Sequence, residues 1–198
     1  MKEVKGQGVK NMRIFPFPDK IKSREELTRD IMYKKIPKDE IEAISDMAWN
    51  TGVEAAYALT EEYGSDMNIY EIAETSGLTI ERVNQDNVSG NIRYFSEYYS
   101  SRQKIVLYLG SINKWAKANN MTMREAEELI LYHEYFHFLE CTKLGLTSKQ
   151  YMVPIIQIGS FSFGRSGIRA LSEIAAHGFS RTLYEIKGRL SYSKLKLL

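Results

Sequence analysis

Apolar side chains recur every three or four residues along several stretches of the chain, a spacing that predicts amphipathic helices. The clearest stretch, 38–63, is followed by Gly64, and glycine is typical just past a helix C-terminus. Gly52 is a position at which this helix can bend. Similar patterns predict a short helix at 68–76 and a long last helix at 168–186.

Between the short helix and the last one, the period changes to the alternation that is typical of strands. Three runs carry it: 78–83, 92–96 and 105–109. The breaks at 87–90 and 100–103 are short enough for hairpin turns, so an antiparallel three-stranded meander is expected. Residues 111–120 are expected to form a helix or linker.

These elements together indicate an α+β fold, mainly helical, with a small three-stranded antiparallel-type sheet packed beside a helix at 122–145. A chain of 198 residues is long enough to bury one hydrophobic core without disulfides. Residues 37–188 are therefore expected to form a single domain, with 1–36 as a basic, partly irregular arm and 189–198 as a basic tail. The segment 146–167, rich in glycine, is expected to be a long connection of the kind that forms lids or binding loops.

The sequence HEYFH at 133–137 is the strongest chemical signal in the chain. On a helix, the HExxH spacing places His133 and His137 one turn apart on the same face, as a zinc ion requires. Glu134 lies next to the first histidine and can reach a water at an open coordination position. This makes Glu134 a candidate general base.

The residues around this motif predict a capped and largely buried helix. Thr122 followed three residues later by Glu125 is the spacing of a capping box, and Gly145 is the next strong stop signal. Most faces between them are apolar, so the two imidazoles need polar partners or a metal. Two core histidines that are simply hydrogen-bonded are the alternative to a metal site.

A tetrahedral zinc ion held by two histidines and one water needs one further protein ligand. Glu173 is favoured because it lies on a separate predicted helix, whereas His177 and Glu140 are the alternatives. His177 can instead orient a ligand or stabilise an oxyanion. Tyr151 and Tyr184 are further candidates for the oxyanion role, and the sequence does not choose among them.

Taken together, these motifs resemble the ImmA/IrrE-type metallopeptidases, small cytoplasmic gluzincins found beside repressors in bacteria and mobile elements. The resemblance spans 44–184, and its sharpest match after HEYFH is EIAAHGFS at 173–180. His177 stands where the family usually has Asn or Asp. The resemblance implies zinc-dependent cleavage of a peptide bond in a regulatory protein such as a repressor, with Glu173 as the third metal ligand.

The charge balance is close to neutral at +2, but its distribution is uneven. Basic residues predominate in 1–38, whereas 39–63 contains acidic residues and no basic ones. The arm is therefore expected to lie against the acidic helix of the same molecule, with phosphate as the rival partner. A DNA-binding reading would use the helix-turn-helix-like segment 67–83, but its strand signals argue against a second helix. Nucleic-acid binding is thus not expected.

Cysteine usage and hydropathy indicate a cytoplasmic protein. The single cysteine, Cys141, excludes an internal disulfide and a four-cysteine zinc site. No apolar run has the length of a signal peptide or of a membrane span, so no membrane association is expected. A metal-binding module without proteolytic activity is a further alternative, although Glu134 would have no use in it.

Overall fold

The computed structural model describes the backbone of residues 17–195 and the side chains of residues 17–188. The predicted α+β class is confirmed, with helices contributing most of the structure. The helices in the described part of the chain are α1 Lys20–Ser23, α2 Ile41–Tyr63, α3 Ile69–Thr75, α4 Leu109–Ala118, α5 Met123–Leu139 and α6 Arg169–Leu195. The strands are β1 Thr79–Val83, β2 Asn87–Ser89, β3 Ile92–Tyr94, β4 Ser96–Tyr99, β5 Lys104–Tyr108, β6 Met152–Ile158 and β7 Phe161–Gly167.

Helices α2 and α6 make the most extensive contact between two elements in the described part of the chain, and glycines let their backbones approach. A Cβ atom added to Gly52 of α2 would lie 1.9 Å from the carbonyl oxygen of Ala175 on α6. One added to Gly178 of α6 would lie 2.6 Å from the carbonyl oxygen of Trp49 on α2. Gly52, considered from the sequence as a point of bending, therefore has a packing role at this crossing.

Helix α5, which carries the HExxH motif, begins and ends where the sequence predicts. Thr122 accepts a hydrogen bond from the backbone N–H of Glu125, whose side chain accepts one from the backbone N–H of Thr122, so the capping box is complete. The helix continues as a π-helical turn and stops at Gly145, whose φ is +79°. Ten of the side chains of α5 are buried, which makes it the central helix of the main hydrophobic cluster.

The sheet beside α5 has the predicted number of strands but a different pairing. Its order is β1-β5-β4, in which β1 and β5 are parallel and β4 and β5 are antiparallel. The expected antiparallel meander is therefore wrong, because β2 and β3 form a separate hairpin around Gly90 and leave β1 to pair with β5. The predicted turn at 100–103 is confirmed, and it connects β4 to β5.

Residues 146–167 are not the long irregular connection that was expected. Most of them form the antiparallel hairpin of β6 and β7, closed by a two-residue turn at Gly159, whose φ is +59°. A tight two-residue hairpin turn requires a residue with positive φ, which glycine adopts readily. Gly159 was therefore the sequence signal for a hairpin in this segment. The hairpin exposes several large apolar side chains near its tip: Ile156, Ile158, Phe161 and Phe163.

Residues 17–36 of the predicted arm are folded onto the rest of the molecule. Residues 1–16 of that arm lie outside the described residues. Lys20 and Arg24 form ion pairs with Asp46 of α2 at 3.1 and 3.0 Å, so the expected contact between the basic arm and the acidic helix is confirmed. Leu27 and Ile36 are buried in a second hydrophobic cluster with α2 and α6. The arm is thus part of the core structure from α1 onward.

The C-terminal region is helical over most of its length. Helix α6 runs to Leu195, so the region 189–195 that was expected as a tail is helical, and 196–198 lie outside the described residues. The segment 67–83 contains α3 followed by strand β1, so its second half is a strand, as its sequence indicates, and not a recognition helix. No helix within the described ranges has both the length and the apolar character needed to span a bilayer.

Candidate metal centre

His133, His137 and Glu173 converge where α5 packs against α6. His133 Nε2 lies 3.3 Å from His137 Nε2 and 3.2 Å from Glu173 Oε2, and His137 Nε2 lies 3.6 Å from Glu173 Oε1. The HExxH spacing accounts for the two imidazoles, which share one face of α5. Glu173 is supplied by the second turn of α6, as the sequence suggested. These three residues form a group that could hold a metal ion.

The separations within this group fit a small four-coordinate ion. Bonds of about 2.0–2.1 Å in a tetrahedral arrangement place neighbouring ligand atoms about 3.3–3.4 Å apart. The two imidazole nitrogens lie 3.3 Å apart, and one oxygen of Glu173 lies 3.2 Å from His133 Nε2 while the other lies 3.6 Å from His137 Nε2. The three side chains are therefore close to the arrangement that such an ion needs.

The electrostatics of the group favour a cation. Burial alone would raise the pKa of Glu173, but its hydrogen bond with His133 and the charges of His133 and His137 lower that pKa to about 2. Burial would lower the pKa of His137, but Glu140, Glu173 and Glu134 outweigh burial and raise that pKa to about 9. The negative charge of three carboxylates thus acts on the His137 imidazole, as it would on a divalent ion bound there.

Glu140 supports the outer ring nitrogen of His137, a role that the sequence did not reveal. Its Oε2 lies 3.1 Å from His137 Nδ1, while its Oε1 accepts hydrogen bonds from the Thr147 N–H at 2.7 Å and the Ser172 hydroxyl at 2.9 Å. Burial raises the pKa of Glu140, but its hydrogen bonds with His137 and Thr147 and the charge of His137 lower that pKa overall. Glu140 therefore contacts the side of His137 that faces away from the metal group, and the i, i+3 spacing was the available signal.

Glu134 is buried beside the metal group and is held in place by the sheet. Its Oε1 accepts a hydrogen bond of 2.6 Å from the hydroxyl of Ser96, the first residue of β4. Glu134 lines the same clefts as His133 and Glu173. Ser96 could not be assigned from the sequence, because its contact with α5 depends on how the sheet packs.

His177 lies on α6 one turn beyond Glu173, but it is not one of the three residues of the metal group. Its ring is buried, with its centroid 5.3 Å from that of His133 and 5.6 Å from that of Phe17. Burial, together with the charge of His133, lowers the pKa of His177 to about 3. Its Nδ1 has no hydrogen-bond partner among residues 17–188. His177 is thus a neutral imidazole beside the group.

The two tyrosines considered for the oxyanion role lie elsewhere. Tyr151 packs against the second hydrophobic cluster, and burial and a hydrogen bond with Glu40 raise its pKa to about 12. Tyr184 lines a separate depression together with Glu128 and Tyr132. Neither tyrosine lines the clefts around the metal group, so only His177 of the three proposed donors is near it.

Two clefts meet at the metal group. One, of about 390 Å³, is lined by arm and β3–β4 residues together with His177, and the other, of about 620 Å³, extends toward α6 and the turn before β6. Five residues line both clefts: Tyr94, Ser96, His133, Glu134 and Glu173. A bound chain could therefore occupy space on both sides of the group.

Comparisons with known proteins identify no relative of this chain, since no family model, curated protein or solved structure matches it. The structure brings together two imidazoles and one carboxylate that could hold a metal ion, with Glu134 directly beside them.

Proposed function

We propose that the protein is a zinc metallopeptidase that hydrolyses a peptide bond in a protein or peptide substrate. The observation that carries this proposal is the triangle of His133, His137 and Glu173, at separations of 3.2 to 3.6 Å, with Glu134 beside it. HExxH followed by a glutamate from another helix is the ligand set of glutamate-type zinc peptidases. The resemblance to ImmA/IrrE-type metallopeptidases supports a regulatory protein such as a repressor as the substrate.

Zinc is the metal that best suits this donor set. Two imidazoles and one carboxylate in a tetrahedral arrangement are typical of catalytic zinc, whereas calcium and magnesium prefer six or more oxygen ligands. When bound, zinc supplies Lewis-acid chemistry, polarising a carbonyl and lowering the pKa of water. Three protein ligands leave one coordination position for exchange.

Side chains of the protein then transfer the protons and hold the reacting groups in position. Glu134 takes a proton from the attacking water and delivers it to the leaving amine, and Ser96 holds its carboxylate in position. Glu140 fixes the ring of His137 through Nδ1. His177, whose side chain lines the smaller cleft, can donate a ring N–H to the oxyanion that forms at the scissile carbonyl.

The test compares zinc content and cleavage in variants of the full chain. We expect about one zinc ion per chain in the wild type, as a single three-ligand site implies, and its loss in His133→Ala. Glu134→Gln should keep the zinc and lose cleavage of an unstructured protein such as casein, because the substitution removes the base but no ligand. Glu127→Gln is the matched control, since Glu127 lies on α5 but pairs with Arg82.

Each outcome of this test has a definite meaning. Full zinc content in His133→Ala would refute the metal site. Normal cleavage by Glu134→Gln would refute the role of the base. Zinc binding without cleavage of any peptide by the wild type would favour a metal-binding module without proteolytic activity.

A further inference from the structure

Phe17, which precedes α1, lies in an aromatic corner of the candidate site. Its ring centroid is 5.9 Å from His133, 5.6 Å from His177 and 5.4 Å from Trp115. Phe95 completes the corner, with its ring 5.5 Å from that of Trp115. Phe17 also lines the smaller cleft, together with His133, Glu173 and Glu134. A residue far from the HExxH motif in sequence therefore occupies part of the proposed substrate cleft.

Three contacts that do not involve Phe17 hold the arm in place from α1 onward. Asp19 caps the first turn of α1, Arg24 pairs with Asp46 of α2, and Leu27 is fully buried. Phe17 itself is only partly buried and lies before all three anchors. The ring can thus leave the cleft while α1 and the rest of the arm stay in place.

Pro18 limits the backbone freedom of Phe17. A residue that precedes proline is disfavoured in the helical region, and the chain bends at Phe17 before α1 begins at Lys20. The Phe17 ring therefore lines the cleft from a short segment that precedes the first helix.

We propose that the corner formed by Trp115, Phe95 and His177 binds a large apolar side chain of the substrate, and that Phe17 is its internal competitor. The corner is built from ring faces, which select aromatic and large aliphatic side chains. An external peptide must displace Phe17, so its apparent affinity is reduced by the fraction of molecules in which the corner is occupied. The identity of the ligand as a peptide rests on the proposed peptidase function.

The experiment measures binding to the zinc-free full-length chain, so that no cleavage occurs. The probe is a fluorescein-labelled synthetic peptide of residues 12–19, and fluorescence anisotropy gives its dissociation constant. We expect Phe17→Ala to bind this peptide about tenfold more tightly than the wild type, which corresponds to about 1.4 kcal/mol. A peptide in which Ala replaces its Phe17 should lose this gain, because it lacks the competing ring.

Ile21→Ala is the matched control, since Ile21 lies on α1 of the same arm and is 74% exposed. It should bind the probe as the wild type does. Phe17→Leu provides a second variant that keeps an apolar side chain, and it should give a smaller gain of the same sign. Equal affinity in wild type, Phe17→Ala and Phe17→Leu, or weaker binding by both variants, would overturn the proposal.

Zinc-loaded protein separates this inference from the proposed function. We expect Phe17→Ala to lower KM for peptides with an aromatic residue. Cleavage with no dependence on Phe17 would refute the competitor and retain the peptidase. A binding difference in the zinc-free chain without cleavage by any variant would retain the competitor and refute the peptidase.

Discussion

Glu140 determines which ring nitrogen of His137 is available to a metal. A carboxylate that accepts a hydrogen bond from Nδ1–H leaves the lone pair of Nε2 free to bind an ion, because a neutral imidazole carries only one proton. The Nδ1 to Oε2 separation of 3.1 Å fits this arrangement. The hydrogen bonds from Thr147 and Ser172 hold the Glu140 carboxylate in this orientation.

We predict that Glu140→Gln weakens zinc binding about 10–100-fold, the range that is typical when a residue supporting a metal ligand is lost. The amide can present an N–H to His137 Nδ1 in place of an acceptor, which no longer selects the required tautomer. Competition with a chromophoric chelator measures the zinc affinity, and Glu127→Gln serves as the control on the same helix. Unchanged affinity in Glu140→Gln would show that Glu140 does not position His137.

At the residue scale, sequence spacing predicts the residues that contact a metal better than it predicts their supports. His133 and His137 follow from the helical period alone, and Glu173 follows from the next helix that carries a suitable carboxylate. Ser96 and Phe17 could not be found in this way, because each contacts the site from an element whose packing no local pattern reveals. Glu140 was noticed only as an alternative ligand, although its burial gives it a different role.

At the scale of elements, the crossing of α2 and α6 positions Glu173. The backbones approach so closely that even a methyl group on Gly52 or Gly178 would overlap the facing helix. Glu173 lies five residues before Gly178 along α6, so the close packing of α6 against α2 also affects where the Glu173 carboxylate lies relative to α5. The packing at Gly52 and Gly178 is therefore linked to the geometry of the metal group.

We predict that Gly52→Ala destabilises the protein by about 1–3 kcal/mol, because overpacking at the 1.9 Å contact with the Ala175 carbonyl outweighs the better helix propensity of alanine. Gly188→Ala is the control in α6, since a Cβ there meets no atom within 4 Å. It should stabilise the helix by about 0.5–1 kcal/mol. Urea unfolding gives both free energies, and a Gly52→Ala variant as stable as the wild type would contradict the close packing.

The helices were predicted more accurately than the strand pairings, and the reason is physical. Helix limits depend on local signals such as the Thr122 capping box and the glycines at 64 and 145, all of which the structure confirms. Strand pairing depends on contacts between distant segments, so the period of two could not show that β1 joins β5 in parallel. The β6–β7 hairpin was missed for a different reason, since glycines were taken as loop residues when one of them forms the tight turn.

For the whole molecule, the metal group joins parts of the chain that are far apart in sequence. Two of its members come from α5 and one from α6, which also carries the contact with α2. An ion bound by all three therefore favours the folded chain over the unfolded one, in which the three side chains do not converge. Metal binding and global stability must then be thermodynamically linked.

We predict that zinc at about 100 times its dissociation constant raises the free energy of unfolding by about 2.7 kcal/mol, and that the stabilisation grows by about 1.4 kcal/mol for each further tenfold in free zinc. His133→Ala and Glu173→Ala should lose most of this increase, because each removes one of the three donors. Cys141→Ser should keep it, since Cys141 is exposed and lies outside the metal group. Magnesium at the same concentrations should have little effect, because it prefers six oxygen ligands.

Chemical unfolding at a series of buffered zinc concentrations measures how the free energy of unfolding changes with free zinc. If Glu173→Ala were stabilised as much as the wild type, zinc would be binding without α6, and the three-residue group could not be the site of the linkage.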